Sequence, residues 1–149
     1  MEDSVVERMI IRSSPEDCFA VLTEFPRYPE WAADIKSVSV DETDDEGRAV
    51  LVTFRAAAFG RSTSYTLRYD YSGAPRRLAW VQVGGDLTRR LDGSYRIEPA
   101  GEGDCEVTYD LLVELKVPLP GFVKRRAESR IMVTALRELK ARVEAGAHA

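Results

Sequence analysis

The residues of this chain best suited to chemistry are aromatic alcohols set in alternating patterns. Tyr65, Leu67, Tyr69 and Tyr71 occupy every second position; Leu78 and Trp80 follow in phase, then Tyr95 and Ile97, then Val107, Tyr109 and Leu111. Period two places each set on one side of a strand. A tyrosine offers a broad apolar face and a hydroxyl that can orient a carbonyl or a phenol. If the covered sides line a cavity rather than fill a core, these residues would face its contents.

Other reactive types are sparse. His148 is the only histidine and stands one residue from the end, so neither histidine acid–base or triad catalysis nor a histidine-ligated metal is expected. Cys18 and Cys105 are far apart, match no redox or metal spacing, and read as reduced, buried small hydrophobes. The acidic run "DETDDE" (Asp41 to Glu46) lacks the spaced glycine and distal glutamate of a calcium loop and reads as a solvated hairpin tip. No glycine loop could cradle a phosphate. With no nucleophile–base pair visible, catalytic residues stay unassigned, and neither metal nor cofactor is expected.

A length of 149 residues suits one domain, 1–149, with a single core. The chain is 44% hydrophobic and 31% charged, a globular rather than disordered balance. Net charge is −4, so the basic excess that neutralises phosphates is missing and no nucleic-acid partner is expected. No apolar run is long enough to span a bilayer. The acidic "MEDSVVERMI" lacks the layout of a secretory signal, which points to a cytoplasmic protein.

The elements that must position the aromatics are legible in order. "SVVERMIIR" (Ser4 to Arg12) reads as a first strand. Ser14 is a natural N-cap, with Pro15 at the first helical position and Glu16 and Asp17 at the positive helix start. That helix ends before Pro26, and "RYPEWAADI" forms a second short one. Six strands follow, with turns at Gly60, "SGAP" (Ser72 to Pro75) and "AGEGD". Val50, Val52, Phe54 and Ala56 share the covered face with the tyrosines, while Arg55, Arg68, Asp70, Arg96 and Glu98 share the wet one. After "VPLPG", residues 122 to 145 lack proline and glycine. Phe122, Val123, Ala127, Ile131, Ala135, Leu139 and Val143 recur at helical spacing. Such a helix is about 35 Å long and covers the sheet. The class is α+β.

This order, with "FPRYPEW" before the meander, "LDGSYRIEP" (Leu91 to Pro99) within it and "VPLPGFVKRRAE" opening the last helix, resembles the START-like SRPBCC superfamily, in particular its polyketide cyclase/dehydrase and lipid-transport branch. The resemblance covers nearly the whole chain. It implies a helix-grip fold like that of START and Bet v 1 proteins: a curved seven-stranded antiparallel sheet around the long C-terminal helix, with two short helices after the first strand. It also implies a cavity between sheet and helix for a lipid, sterol, quinone or polyketide-like molecule.

On that basis the wall residues are Phe54, Tyr65, Leu67, Tyr69, Trp80, Tyr95, Tyr109 and Leu111, with Ala127 and Ile131 from the helix. Tyr28 and Trp31 stand at the mouth, Pro26 and Pro29 fixing the bend of a lid; Trp31 reads equally as a plug holding the short helices to the sheet. Unbroken alternation would point Gln82 and Arg89 inward, toward a ligand carbonyl or carboxylate, although a bulge near Gly84, Gly85 or Gly93 would reverse them. The favoured function is binding or transport of a hydrophobic small molecule. An aromatase/cyclase or dehydratase acting on a bound polyketone is the alternative, and a protein-docking role would require an exposed apolar face. "KRRAESR" (Lys124 to Arg130) reads as a solvated helix face, but a carrier of lipid would still meet a membrane transiently. The oligomeric state is left open.

Overall fold

In the computed structural model, which describes residues 4–58 and 60–146, the first strand β1 (Val5–Ile11) gives way to helix α1 (Pro15–Thr23) at the expected cap. The Ser14 hydroxyl accepts the Asp17 amide at 3.1 Å, satisfying one of the unpaired donors of the first turn. Pro26 ends this helix by way of a 3₁₀ turn (Phe25–Arg27), and the single-turn helix α2 (Tyr28–Trp31) follows. Then come β2 (Ile35–Thr43), β3 (Ala49–Ala58), β4 (Arg61–Asp70), β5 (Arg77–Gly85), β6 (Thr88–Pro99) and β7 (Cys105–Leu115), and finally α3 (Gly121–Gly146). His148 lies outside the described residues.

All seven strands form one antiparallel sheet in the order β1-β7-β6-β5-β4-β3-β2. Strands β2 to β7 are a meander joined by short turns, and β1 closes the far side against β7. The curved sheet and the long helix make the helix-grip architecture. The covered face is buried as the alternation requires: Val52, Phe54, Leu67, Leu78, Ile97 and Val107 are at most 4% exposed. Arg55, Arg68, Asp70, Arg96 and Glu98 are exposed. The acidic stretch forms the end of β2 and a solvated hairpin tip, where the Asp44 carboxylate accepts both the Arg48 guanidinium and the Arg48 amide at 2.8 Å.

Helix α3 lies along β1 and also touches β7 and α1, but it is rolled relative to the expected stripe. Its buried residues are Glu128, Met132, Leu136, Leu139 and Val143. Phe122 is 66% and Val123 39% exposed, since the roll leaves both off the buried row. A carboxylate in the buried row disguised the true stripe.

The two cysteines, distant in sequence, meet where α1 crosses the end of β7. Both are fully buried. A hydrogen bond to Cys105, with burial, pushes the Cys18 thiol well above its ordinary pKa, and full burial keeps reagents from both sulfurs. We therefore expect neither thiol to react with 5,5′-dithiobis(2-nitrobenzoate) in the native protein and both to react in guanidinium. Rapid labelling of the native state would contradict this burial.

Candidate functional site: an aromatic cavity between sheet and helix

Between the concave sheet face and α3 lies a cavity of about 160 Å³. Strand alternation supplies most of its wall: Phe54, Tyr65, Leu67, Tyr69, Trp80, Tyr95, Tyr109 and Leu111 all line it, as do Tyr28 and Trp31 from α2 and Ile131 from α3. The rings form a continuous belt. Phe54 stacks on Tyr65 at 5.4 Å between centroids, Tyr69 meets Trp80 at 5.8 Å, and Trp80 meets Tyr95 at 5.3 Å. Tyr95 and Tyr109 close the belt at 4.4 Å.

The lid region is built from the prolines and aromatics of Glu24 to Trp31. Phe25, fully buried, packs 4.6 Å from Tyr69 and 5.4 Å from Tyr28. The Tyr28 hydroxyl donates to the Leu22 carbonyl at 2.5 Å, so this tyrosine pins α2 to α1 and offers the cavity only its ring. Trp31 is half-buried, 5.0 Å from Tyr28. It is thus at once a wall of the cavity and a plug under the short helix. Two links tie this region to α3: the Ala33 amide donates to Glu138 at 3.0 Å, and Arg142 pairs with Glu30 at 2.8 Å. Asp34 lines the cavity and is exposed, so solvent approaches from the turn between α2 and β2.

Three expected wall residues lie elsewhere. Arg89 is exposed, because the β6–β7 register slips between Thr88 and Arg90. This bulge makes Arg89 the extra residue and turns Thr88 inward instead. Gln82 keeps its inward phase but has an internal partner. Its amide donates to the Thr88 carbonyl at 2.9 Å and its carbonyl accepts the Thr88 hydroxyl at 2.5 Å. The register slip in β5 falls just beyond it, where Gln82 and Gly84 face the consecutive Leu67 and Thr66. Ala127 is half-buried but off the cavity wall, a consequence of the rolled helix.

The structure adds wall residues that alternation did not single out. Thr63 and Thr88, both buried, also line it, and Thr63 donates to Asp86 at 2.5 Å. Glu128, Thr134, Ala135 and Glu138 join Ile131 on the helix side. Of these, Glu128 could have been suspected from the helical wheel only if the helix phase had been known.

Burial governs the site's acid–base character. Tyr28, Tyr69 and Tyr95 are pushed well above the ordinary tyrosine range, chiefly because burial penalises a phenolate. Tyr109 is pushed up to about 12, burial outweighing a hydrogen bond from Tyr95. Near neutral pH these hydroxyls stay protonated and can donate. Among the described residues no fully buried side-chain oxygen or nitrogen lacks a partner. The hydroxyls of Tyr65 and Tyr69, which bond no other described group, therefore reach open cavity.

The family model for polyketide cyclase / dehydrase and lipid transport proteins matches residues 2–144 of this chain. Among solved structures, a START superfamily protein from Mycobacterium smegmatis is similar over 95% of this chain and 97% of its own, with 23% identity and a TM-score of 0.90. The Zhui aromatase/cyclase from Streptomyces sp. R1128 is similar over 97% and 94%, with 13% identity and a TM-score of 0.84. The di-domain ARO/CYC BexL of the BE-7585A biosynthetic pathway matches 95% of this chain with 46% of its own, at 18% identity and a TM-score of 0.73. No curated protein sequence matches the chain. At such identities the likeness is one of fold.

Proposed function

The chain belongs to the polyketide cyclase / dehydrase and lipid transport family, and from that premise we propose that it binds a hydrophobic, ring-bearing small molecule between sheet and helix. The carrying observation is the cavity: walled by aromatics, open towards solvent near Asp34, and furnished with tyrosine hydroxyls that reach into it. Apolar surface supplies the affinity and the hydroxyls orient the guest by donating to a carbonyl or ether oxygen. An apolar cavity of roughly 150 Å³ can hold one benzene ring. The present volume of about 160 Å³ therefore suits a single ring or a slender chain without rearrangement. A fused-ring or long-chain guest would require α2 to swing out, breaking the links of Ala33 and Glu30 to α3.

The enzyme reading, cyclisation or dehydration of a polyketone, rests on the family and on the hydroxyl pair of Tyr95 and Tyr109. The upward shift of Tyr109 weighs against a tyrosine base near neutral pH and in favour of hydroxyls that hold and polarise a carbonyl. Binding is accordingly the primary reading.

Native mass spectrometry of freshly purified protein tests it, together with NMR titration by toluene. The expected result is a discrete added mass lost on denaturation, or saturable toluene shifts at Ile131 and Leu111. Ala135→Phe, which fills the cavity from the helix side, should abolish either signal. Protein without an added mass and unresponsive to millimolar toluene would overturn the reading.

A further inference from the structure

Glu128 stands in the buried row of α3 and lines the cavity, at a position where the next buried residues are Met132, Leu136 and Leu139. It is only 1% exposed. Burying a carboxylate is costly, and an apolar residue of similar size at such a place is often neutral or stabilising. Fold stability alone therefore gives no reason for it. One oxygen, Oε2, accepts the Lys124 ammonium at 2.9 Å, one turn earlier. The other, Oε1, bonds no described group, yet no fully buried side-chain oxygen among the described residues lacks a partner. Oε1 must then touch open space, and the space that Glu128 lines is the cavity.

We infer that Glu128 is a ligand-selecting acceptor: Oε1 takes a hydrogen bond from a hydroxyl on the guest, so that the site prefers neutral hydroxylated aromatics, phenols above all, to hydrocarbons and carboxylates of the same shape. The inference rests on the cavity reading and deepens it. A carboxylate accepts hydrogen bonds and does not donate. It rewards a guest O–H or N–H and repels a guest carboxylate in a place too dry to screen the repulsion. Lys124, 25% exposed on its solvent side, holds the other oxygen and so leaves Oε1 the free arm. Across the cavity, the protonated hydroxyls of Tyr65 and Tyr69 complement it, because they donate to an acceptor on the same guest. Thr63 and Thr88, also on the wall, have their hydroxyls committed to Asp86 and Gln82, so they do not compete for the guest.

Three probes of one shape test this by NMR titration at neutral pH: toluene, p-cresol and p-toluate. Wild-type protein should bind p-cresol about tenfold more tightly than toluene, the scale of a hydrogen bond to a charged group, and p-toluate more weakly than either. In Glu128→Leu the p-cresol advantage should vanish, with toluene binding retained or tightened and the thermal midpoint equal or higher. Glu128→Gln, which keeps a carbonyl acceptor, should retain part of the preference and admit p-toluate. Equal binding of p-cresol and toluene by the wild type would overturn the role of Glu128 while leaving the cavity reading intact. So would equal loss of both in Glu128→Leu. Failure of the wild type to bind toluene and p-cresol alike would overturn both readings. The wild-type comparison needs no variant, so it decides even if Glu128→Leu does not fold.

Discussion

Gly93→Ala is expected to cost about 3 kcal/mol of stability, at the upper end of what one added methyl group does in a packed interior. Gly93 lies in the middle of β6, in unbroken register with Leu111 of β7 and Trp80 of β5. A β-carbon there would stand 2.4 Å from the Asp110 carbonyl oxygen and 2.9 Å from the Trp80 ring. The carbonyl belongs to the neighbouring strand and cannot move without breaking the ladder. The Trp80 ring could yield only by moving into the cavity and displacing Tyr69, Tyr95 or Tyr109, with which it packs. For a domain of this size the expected fall in thermal midpoint is roughly 10 °C. Aromatic probes should also bind less well. Gly84→Ala, where an added β-carbon meets nothing within 4 Å, is the matched control and should stay within about 0.5 kcal/mol of wild type. Thermal unfolding followed by circular dichroism measures both. A Gly93→Ala protein as stable as the control would show that the close contact of β6, β7 and Trp80 is wrong.

The second large effect is alkaline unfolding coupled to tyrosine ionisation. All six tyrosines have their pKa raised, burial being the first cause in each. A folded-state pKa above the unfolded value means stability that is complete below the unfolded pKa, near 10 for tyrosine. That stability is lost as pH climbs through the folded value, which for Tyr71 and Tyr109 is about 12. At pH 11 the unfolded chain gains about 1.4 kcal/mol for each tyrosine that the fold holds neutral. Several such groups together rival the whole stability of an ordinary domain, even after a discount for those that touch the cavity or solvent. The expected result is a flat absorbance at 295 nm up to about pH 10, then one steep rise coincident with loss of the sheet signal in circular dichroism. Gradual ionisation of one or more tyrosines near pH 10 with the fold intact would show that the belt is wetter than its packing implies. A bound hydrocarbon, which does not titrate, should move the cooperative rise to higher pH.

Local rules carried much of this architecture. Alternation at Tyr65, Leu67 and Tyr69, or at Val107, Tyr109 and Leu111, is a property of the extended backbone itself. The covered face could therefore be read residue by residue, and eight of the ten candidate residues on strands do line the cavity. Ser14 and Pro15 set the start of α1 through hydrogen bonds reaching only three residues. The family likeness rests on the same local signals in order. Gly93 marks the limit of such reading: a glycine amid alternating residues announced an irregularity, but no local rule told a bulge from a close approach to Trp80.

What the chain by itself determined, then, was which elements form, in what order, and which side of each strand is apolar, because those depend on neighbours within a few positions. Tertiary structure decided the phases between elements. The bulge at Arg89 depends on how β6 must meet β7, and the pairing of Gln82 with Thr88 follows from it. The roll of α3, which exposes Phe122 and buries Glu128, depends on the curvature of a sheet seven strands wide. The meeting of Cys18 with Cys105 depends on where α1 crosses β7. Each is a contact between residues distant in sequence, set by the packing of whole surfaces rather than by the period of any one segment.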